Sequence, residues 1–190
     1  MPPFVSAFRS PWPLPKPPQA TTGIVRAAVV ALQKFPVVNA SIDGDDIVYH
    51  NFFDVGVAVS SPRGLVVPIL RDADQMSIAE IEKEIGRLGG LARDGQLSMS
   101  DMQGGTFTIS NQGGIGGTNF TPVVFWPQAA ILGVSRASTE PLYVDGEFRP
   151  RTLLPLALSY DHRIADGADA ARFVRWIRDG IEQPLTLHLD

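Results

Sequence analysis

Two Asp-Gly dipeptides constrain this chain more than any other local feature. Asp43-Gly44 lies in "VNASIDGDDIVYHN" and Asp145-Gly146 in "PLYVDGEFRP", each between β-capable flanks. Asp-Gly adopts the left-handed backbone of a tight turn at little cost, so each predicts two strands joined antiparallel. "FDVGVAVSSPRGLVVPIL" reads as two more strands around Pro62-Arg63-Gly64, with Val55, Val57 and Val59 on one face. "GGTFTISN", "AAILGVSRAS" and "RTLLPLALSY" read as further strands, and Pro155 in the last favours an edge or a bulge. Three segments break this pattern. "IVRAAVVALQKF" is apolar on nearly every side, which predicts a buried helix ended by Pro36. "SIAEIEKEIGRLGGLARDG" carries a capping box, Ser77 with Glu80, and an apolar stripe of Ile78, Ile81, Ile85 and Leu88. "ADGADAARFVRWIRDGIEQP" predicts a helix capped by Asp166. Strands, helices and hairpins together predict an α/β chain with a mixed sheet, not a doubly wound parallel one.

The 190 residues suffice for one domain with a real core, and 44% hydrophobic against 19% charged is a globular composition. Residues 1–23 differ in texture. Seven prolines fall there, and the stretch reads as an extended or disordered lead ahead of a domain covering 24–190. A net charge of −4 without a basic block argues against nucleic acid as a partner. The absence of cysteine excludes disulfides, Cys-ligated zinc and a cysteine nucleophile. No apolar run reaches the length of a membrane span.

The candidate chemistry centres on "SYDHRIADG". His162 stands between Asp161 and Arg163 at the end of an apolar strand, with Asp166 four positions on. A neutral imidazole there can take a proton from a thiol or hydroxyl, although charges pairing locally at a helix start explain the same residues. His50 reads as a surface or packing residue, and His188 is two residues from the end. One His and one Asp do not make a zinc site, and no metal is expected. No G-x-S-x-G elbow presents a serine nucleophile. "GGIGG" lacks the Lys-Ser/Thr of a phosphate loop, and Asn119 stands where the last glycine of a dinucleotide fingerprint falls. Ser110 and Asn111 precede it at a strand end, placed either to donate hydrogen bonds or to form a turn.

"SYDHRIADGADAARF" resembles the active-site signature of the dihydrolipoamide acyltransferases, the E2 cores of 2-oxo acid dehydrogenase complexes. "PVVNASIDGDDIVYHNFFDVGVAV", "PRGLVVPILRDAD", "GGTFTISNQGGIGG", "PQAAILGVSRAS" and "LPLALSYDH" resemble further family blocks in family order, so the likeness covers 24–190. It implies a fold like chloramphenicol acetyltransferase, a homotrimer with its site between subunits, and assembly into 24-mers or 60-mers. It implies His162 as base, Asp166 as its support and Ser110 as oxyanion donor from a neighbouring subunit. Asn111, Ser60, Gly133 and Ser135 fall in blocks that line the coenzyme A pocket. The lipoyl group is expected on a separate lipoyl domain, with E1 and E3 components as partners, in a bacterial cytoplasm or a mitochondrial matrix.

Two departures matter. The family domain ordinarily extends well before Ile24, so the domain is expected to be incomplete at its N-terminus, and a non-catalytic relic of the core stands as an alternative to an enzyme. The acyl group is also divided. "NASIDGDDIVYHNFFDV" resembles the succinyltransferase branch, whereas "GGIGGTNFTPVV" and "ILGVSRAS", nearer the site, resemble the acetyltransferase branch and favour acetyl over succinyl or branched acyl groups.

Overall fold

A computed structural model describes residues 17–183. Most of the proline-rich lead and the tail "PLTLHLD" lie outside the described residues. Helix α1 (Pro17–Lys34) is followed by the hairpin β1 (Ala40–Asp43) and β2 (Asp46–Tyr49). Then come β3 (Val55–Ser61), β4 (Gly64–Val66), β5 (Ile69–Leu70) and α2 (Ile78–Asp94). The strands β6 (Phe107–Asn111) and β7 (Ala130–Val134), the hairpin β8 (Ser138–Val144) and β9 (Glu147–Leu153), β10 (Leu156–Tyr160) and α3 (Gly167–Glu182) complete the order.

The boundary expected at Ile24 moves. α1 begins at Pro17, and Thr21 and Thr22 are buried, with Thr22 hydrogen-bonded to Glu82 of α2, so the helix and its packing start ahead of Ile24. Proline opposes a helix only where its N–H is needed. In the first turn no N–H has an intrahelical partner, so Pro17 and Pro18 can open α1.

The main sheet runs β10-β7-β6-β3-β4, with β5 also on the outer edge of β3. β3, β6 and β7 are parallel, while β4, β5 and β10 are antiparallel to their neighbours. The sheet is therefore mixed, while the two Asp-Gly hairpins, β1-β2 and β8-β9, form separate two-stranded sheets. β10 lies at an edge, where Pro155 just before it costs no central ladder bond.

Alternation along these strands sorts the residues between two faces. Val55, Val57, Phe107, Ile109, Leu132 and Val134 join one core cluster with the three helices. α1 packs against both α2 and α3, which explains why Val25 to Leu32 are buried almost without interruption. The other face carries smaller or polar residues, among them Ala58, Thr108, Ser110 and Gly133, and the segment 112–128 folds over it.

Phe173 fixes α3 on the core. Its ring stands edge-on to Phe35 (6.1 Å) and Phe107 (5.6 Å) and is fully buried. Because α3 begins just after His162, this contact also anchors the His162 corner. Phe173→Ala is expected to cost about 3–5 kcal/mol of folding free energy, read from the urea midpoint.

Candidate active site

His162 follows β10, in the turn that leads to α3. Its ring is exposed and lies 5.5 Å from that of Tyr160, centroid to centroid. The flanking charges pair with each other: Arg163 Nη2 donates to Asp161 Oδ2 (2.6 Å) and Nε to Oδ1 (3.0 Å). That guanidinium holds the Asp161 carboxyl below the usual carboxylate range. Asp161 is anchored in turn, its N–H donating to the carbonyl of Ala129 (2.8 Å). The local pairing expected of a charged corner is thus real, but it involves Asp161 and Arg163 and leaves the imidazole free.

Asp166 caps α3. One carboxylate oxygen accepts from the N–H of Ala168 (2.8 Å) and of Asp169 (2.9 Å). These two donors lower its pKa, with smaller electrostatic help from Arg172 and His162. Asp166 thus fixes where the helix starts, four residues after His162, and no hydrogen bond joins the two. A carboxyl whose folded pKa is depressed stabilises the fold above its unfolded pKa, and that contribution is lost as pH falls through the folded value. Asp166→Ala should therefore lower the thermal midpoint by a few degrees at neutral pH, with the difference from wild type fading below about pH 4. Asp166→Asn keeps a capping oxygen and should lose far less at neutral pH. Circular-dichroism melts at pH 7 and pH 3 check both.

Ser110 is buried on β6, its side chain on the face away from the helices. There it lines a cavity of about 400 Å³ with Ala58, Leu65, Gln112, Ile131 and residues 120–125. Gly133 stands opposite Ser110 on β7, and the loop lies tight against it. A Cβ there would meet Pro122 at 3.0 Å and Phe120 at 3.1 Å. Ser60 is the penultimate residue of β3 and Ser135 directly follows β7, both at the carboxyl end of the parallel strands. Asn111 does not join them: its amide donates to Thr21 of α1 (3.1 Å) and accepts from Gly113 N–H (2.9 Å), away from the cavity. Gln112, Leu65 and Phe120 were not singled out from the sequence. A glycine inside the apolar strand "AILGV" was the available sign that something packs closely there.

The register places Ser110 and His162 at opposite ends of β7. Ser110 pairs with Gly133 near its carboxyl end, whereas Tyr160 pairs with Ala130 at its amino end. That is about 10 Å along the strands and about 10 Å across two strand spacings, before the two residues from Tyr160 to His162 are added. One chain cannot bring both side chains to one carbonyl. Among the described residues no three His, Asp or Glu side chains gather in a way that could hold a metal ion.

A family model described as 2-oxoacid dehydrogenases acyltransferase (catalytic domain) matches residues 16–189. The chain belongs to this family. The acyltransferase domain is 55% identical over 166 residues to the dihydrolipoyllysine-residue succinyltransferase component of the 2-oxoglutarate dehydrogenase complex of Cupriavidus necator, covering 87% of this chain and 40% of that protein. The acetyltransferase component of the same organism's pyruvate dehydrogenase complex is 50% identical over 150 residues, 79% of this chain and 27% of that one. The chain thus spans about 40% or less of the length of these relatives. Among solved structures, Azotobacter vinelandii dihydrolipoamide acetyltransferase superposes with a TM-score of 0.87 at 40% identity, covering 90% of this chain and 71% of that one. Chloramphenicol acetyltransferase superposes at 0.56 with 14% identity over 85% and 77%, a likeness of fold alone. The family match begins next to Pro17, where α1 starts, and not at Ile24.

Proposed function

We propose that this acyltransferase domain moves an acyl group between dihydrolipoamide and coenzyme A, in sites shared between subunits of a trimer. The observation that carries this is the separation of Ser110 from His162 within one chain, when each is well placed for its part. A trimer in which the His162 corner of one subunit faces the Ser110 cavity of the next resolves it. The A. vinelandii structure was determined to probe a serine, a histidine and an asparagine in catalysis. Those three are spaced along that chain as Ser110, His162 and Asp166 are along this one.

The chemistry follows from these groups. The imidazole of His162 takes the proton of the attacking thiol, which makes a better nucleophile. The sulfur attacks the thioester carbonyl. Ser110 donates to the oxyanion of the tetrahedral intermediate. Collapse breaks the other carbon–sulfur bond, and the departing thiolate takes the proton back from the imidazolium. No acyl group is carried on the protein. Ser60, Gly133 and Ser135, at the carboxyl end of the parallel strands, lie on the coenzyme A side. The lipoyl arm comes from a separate lipoyl domain, and E1 and E3 components load and reoxidise it. Assembly beyond the trimer gives a 24-mer or 60-mer.

Succinyl is the acyl group favoured by the relatives, since the C. necator succinyltransferase is more similar over a longer stretch than the acetyltransferase. The lean to acetyl drawn from short blocks lacks that support. One observation keeps acetyl as a second reading: the Ser110 cavity offers no Arg, Lys or His among its described lining to pair with a succinyl carboxylate. Initial rates with equal acetyl-, succinyl- and branched acyl-CoA and free dihydrolipoamide decide it. Succinyl-CoA is expected to give the highest kcat/KM, and a reversal in favour of acetyl-CoA establishes the second reading. A trimer that transfers none of the three is a structural relic, and the enzyme proposal fails.

A further inference from the structure

The backbone around His162 is fixed, whereas its imidazole is held by little. Asp161 N–H donates to the carbonyl of Ala129 (2.8 Å), and the Asp161 carbonyl accepts from the N–H of Ile164 (3.0 Å) and of Ala165 (3.1 Å). Arg163 N–H donates to Asp161 Oδ1 (3.0 Å). These bonds set the path of the turn on both sides of His162. They leave the side-chain torsions free, and an exposed side chain has three staggered wells at χ1. The carboxylate that the family likeness offers as a support is engaged elsewhere: Asp166 accepts from two N–H groups at the start of α3.

One side chain does touch the ring. Tyr160 ends β10, and its ring centroid stands 5.5 Å from that of His162, with the planes tilted by 43°. Aromatic rings attract over this range of distance. Tyr160 is itself well held. With Leu156 and Leu158 it packs on the core cluster, on the helix side of the sheet. Its backbone pairs with Ala130 of β7. Its hydroxyl reaches the first residue of α3, where a Cβ on Gly167 would meet it at 3.7 Å. A ring anchored at a strand end and beside a helix start is a rigid wall for an otherwise mobile imidazole. The charged groups near that imidazole are Asp161, Arg163 and Asp166. The first two pair with each other and the third with backbone N–H groups, so none competes with Tyr160 for the orientation of the ring.

Resting on the acyl-transfer reading, we propose that Tyr160 is a positioning residue, whose ring holds the imidazole of His162 in the rotamer that meets a thiol bound against the neighbouring subunit. The thiol and the oxyanion donor lie on another chain in that reading, so the aim of the base is not set by contacts with them before substrate arrives. An imidazole that samples several rotamers is aimed for only part of the time, which lowers kcat without weakening binding. The flat face of Tyr160 does this, not its hydroxyl.

The test uses the full chain. Tyr160→Leu keeps an apolar side chain for the core and removes the ring, whereas Tyr160→Phe keeps the ring and removes the hydroxyl. Tyr160→Leu should lower kcat about three- to tenfold with KM for each substrate changed less than about twofold, and Tyr160→Phe should stay within about twofold of wild type in both. In a His162→Ala background Tyr160→Leu should have no further effect, because it acts through the imidazole. A readout without turnover is the Cε1–H NMR signal of His162 in histidine-labelled protein, identified by its loss in His162→Ala. It should move in Tyr160→Leu, where the ring current is gone, and hold in Tyr160→Phe. Tyr160→Met serves the same comparison where the Leu variant does not fold. Wild-type kcat in Tyr160→Leu, an equal loss with and without His162, or an unmoved signal overturns the positioning role. The expected NMR pattern in protein that transfers no acyl group sinks the acyl-transfer reading alone and leaves the contact of Tyr160 with His162 standing.

Discussion

His162→Ala should lower kcat for acyl transfer by about 10³-fold, with little change in folding or assembly. A positioned general base is worth about 10²–10⁴ in rate, and the upper half of that range applies when nothing nearby can substitute. Here nothing can. The flanking carboxylate of Asp161 is committed to Arg163 and that of Asp166 to the start of α3. The imidazole is exposed and makes no hydrogen bond among the described residues, so its loss removes a reacting group and not a structural one. Steady-state rates with saturating acyl-CoA and dihydrolipoamide measure the effect, and the thermal midpoint controls for folding. Activity within tenfold of wild type would show that another group takes the thiol proton.

What was legible in the sequence was whatever local chemistry decides. Gly44 and Gly146 do turn the hairpins, both with positive φ, because few other residues accept that backbone. Ser77 and Glu80 do cap α2 reciprocally. Asp166 does cap α3, as its place before the helical pattern required. What was not legible depended on tertiary placement. A run of prolines looks like a lead until one knows that Pro17 and Pro18 fall in a first turn. A family-block resemblance puts Asn111 at the coenzyme A pocket, yet adjacent positions on a strand face opposite sides, and its amide donates to Thr21 of α1. The segment 112–128 offers turns and glycines locally and, by resemblance, a block of the acetyltransferase branch. Its role as the cover of the open face comes from Phe120 and Pro122 packing on Gly133, a contact between distant residues. The acyl group was the least legible. Short blocks near the site and similarity across the whole domain pull in different directions, and the lining of the Ser110 cavity comes from residues far apart in the chain.

The separation of Ser110 from His162 makes a prediction that single substitutions do not. Ser110→Ala removes the oxyanion donor and should lower kcat by about 10²–10³-fold. A homotrimer of Ser110→Ala subunits and one of His162→Ala subunits are then both nearly inactive. Unfolded together in equal amounts and refolded, they should regain transfer. If each site joins Ser110 of one subunit to His162 of its neighbour, random mixing in a cyclic trimer leaves about a quarter of the sites with both groups intact. If each site drew both groups from one chain, no mixed trimer would hold an intact site, and activity would stay at the level of the parents. The sheet register favours the first outcome on geometry alone, since no rotamer of Ser110 or His162 spans β6, β7 and β10 together with three residues of β7. Recovery of about a quarter of wild-type activity, absent when the two proteins are mixed without unfolding, would establish the shared site. Absence of recovery in trimers shown by mass spectrometry to be mixed would refute it.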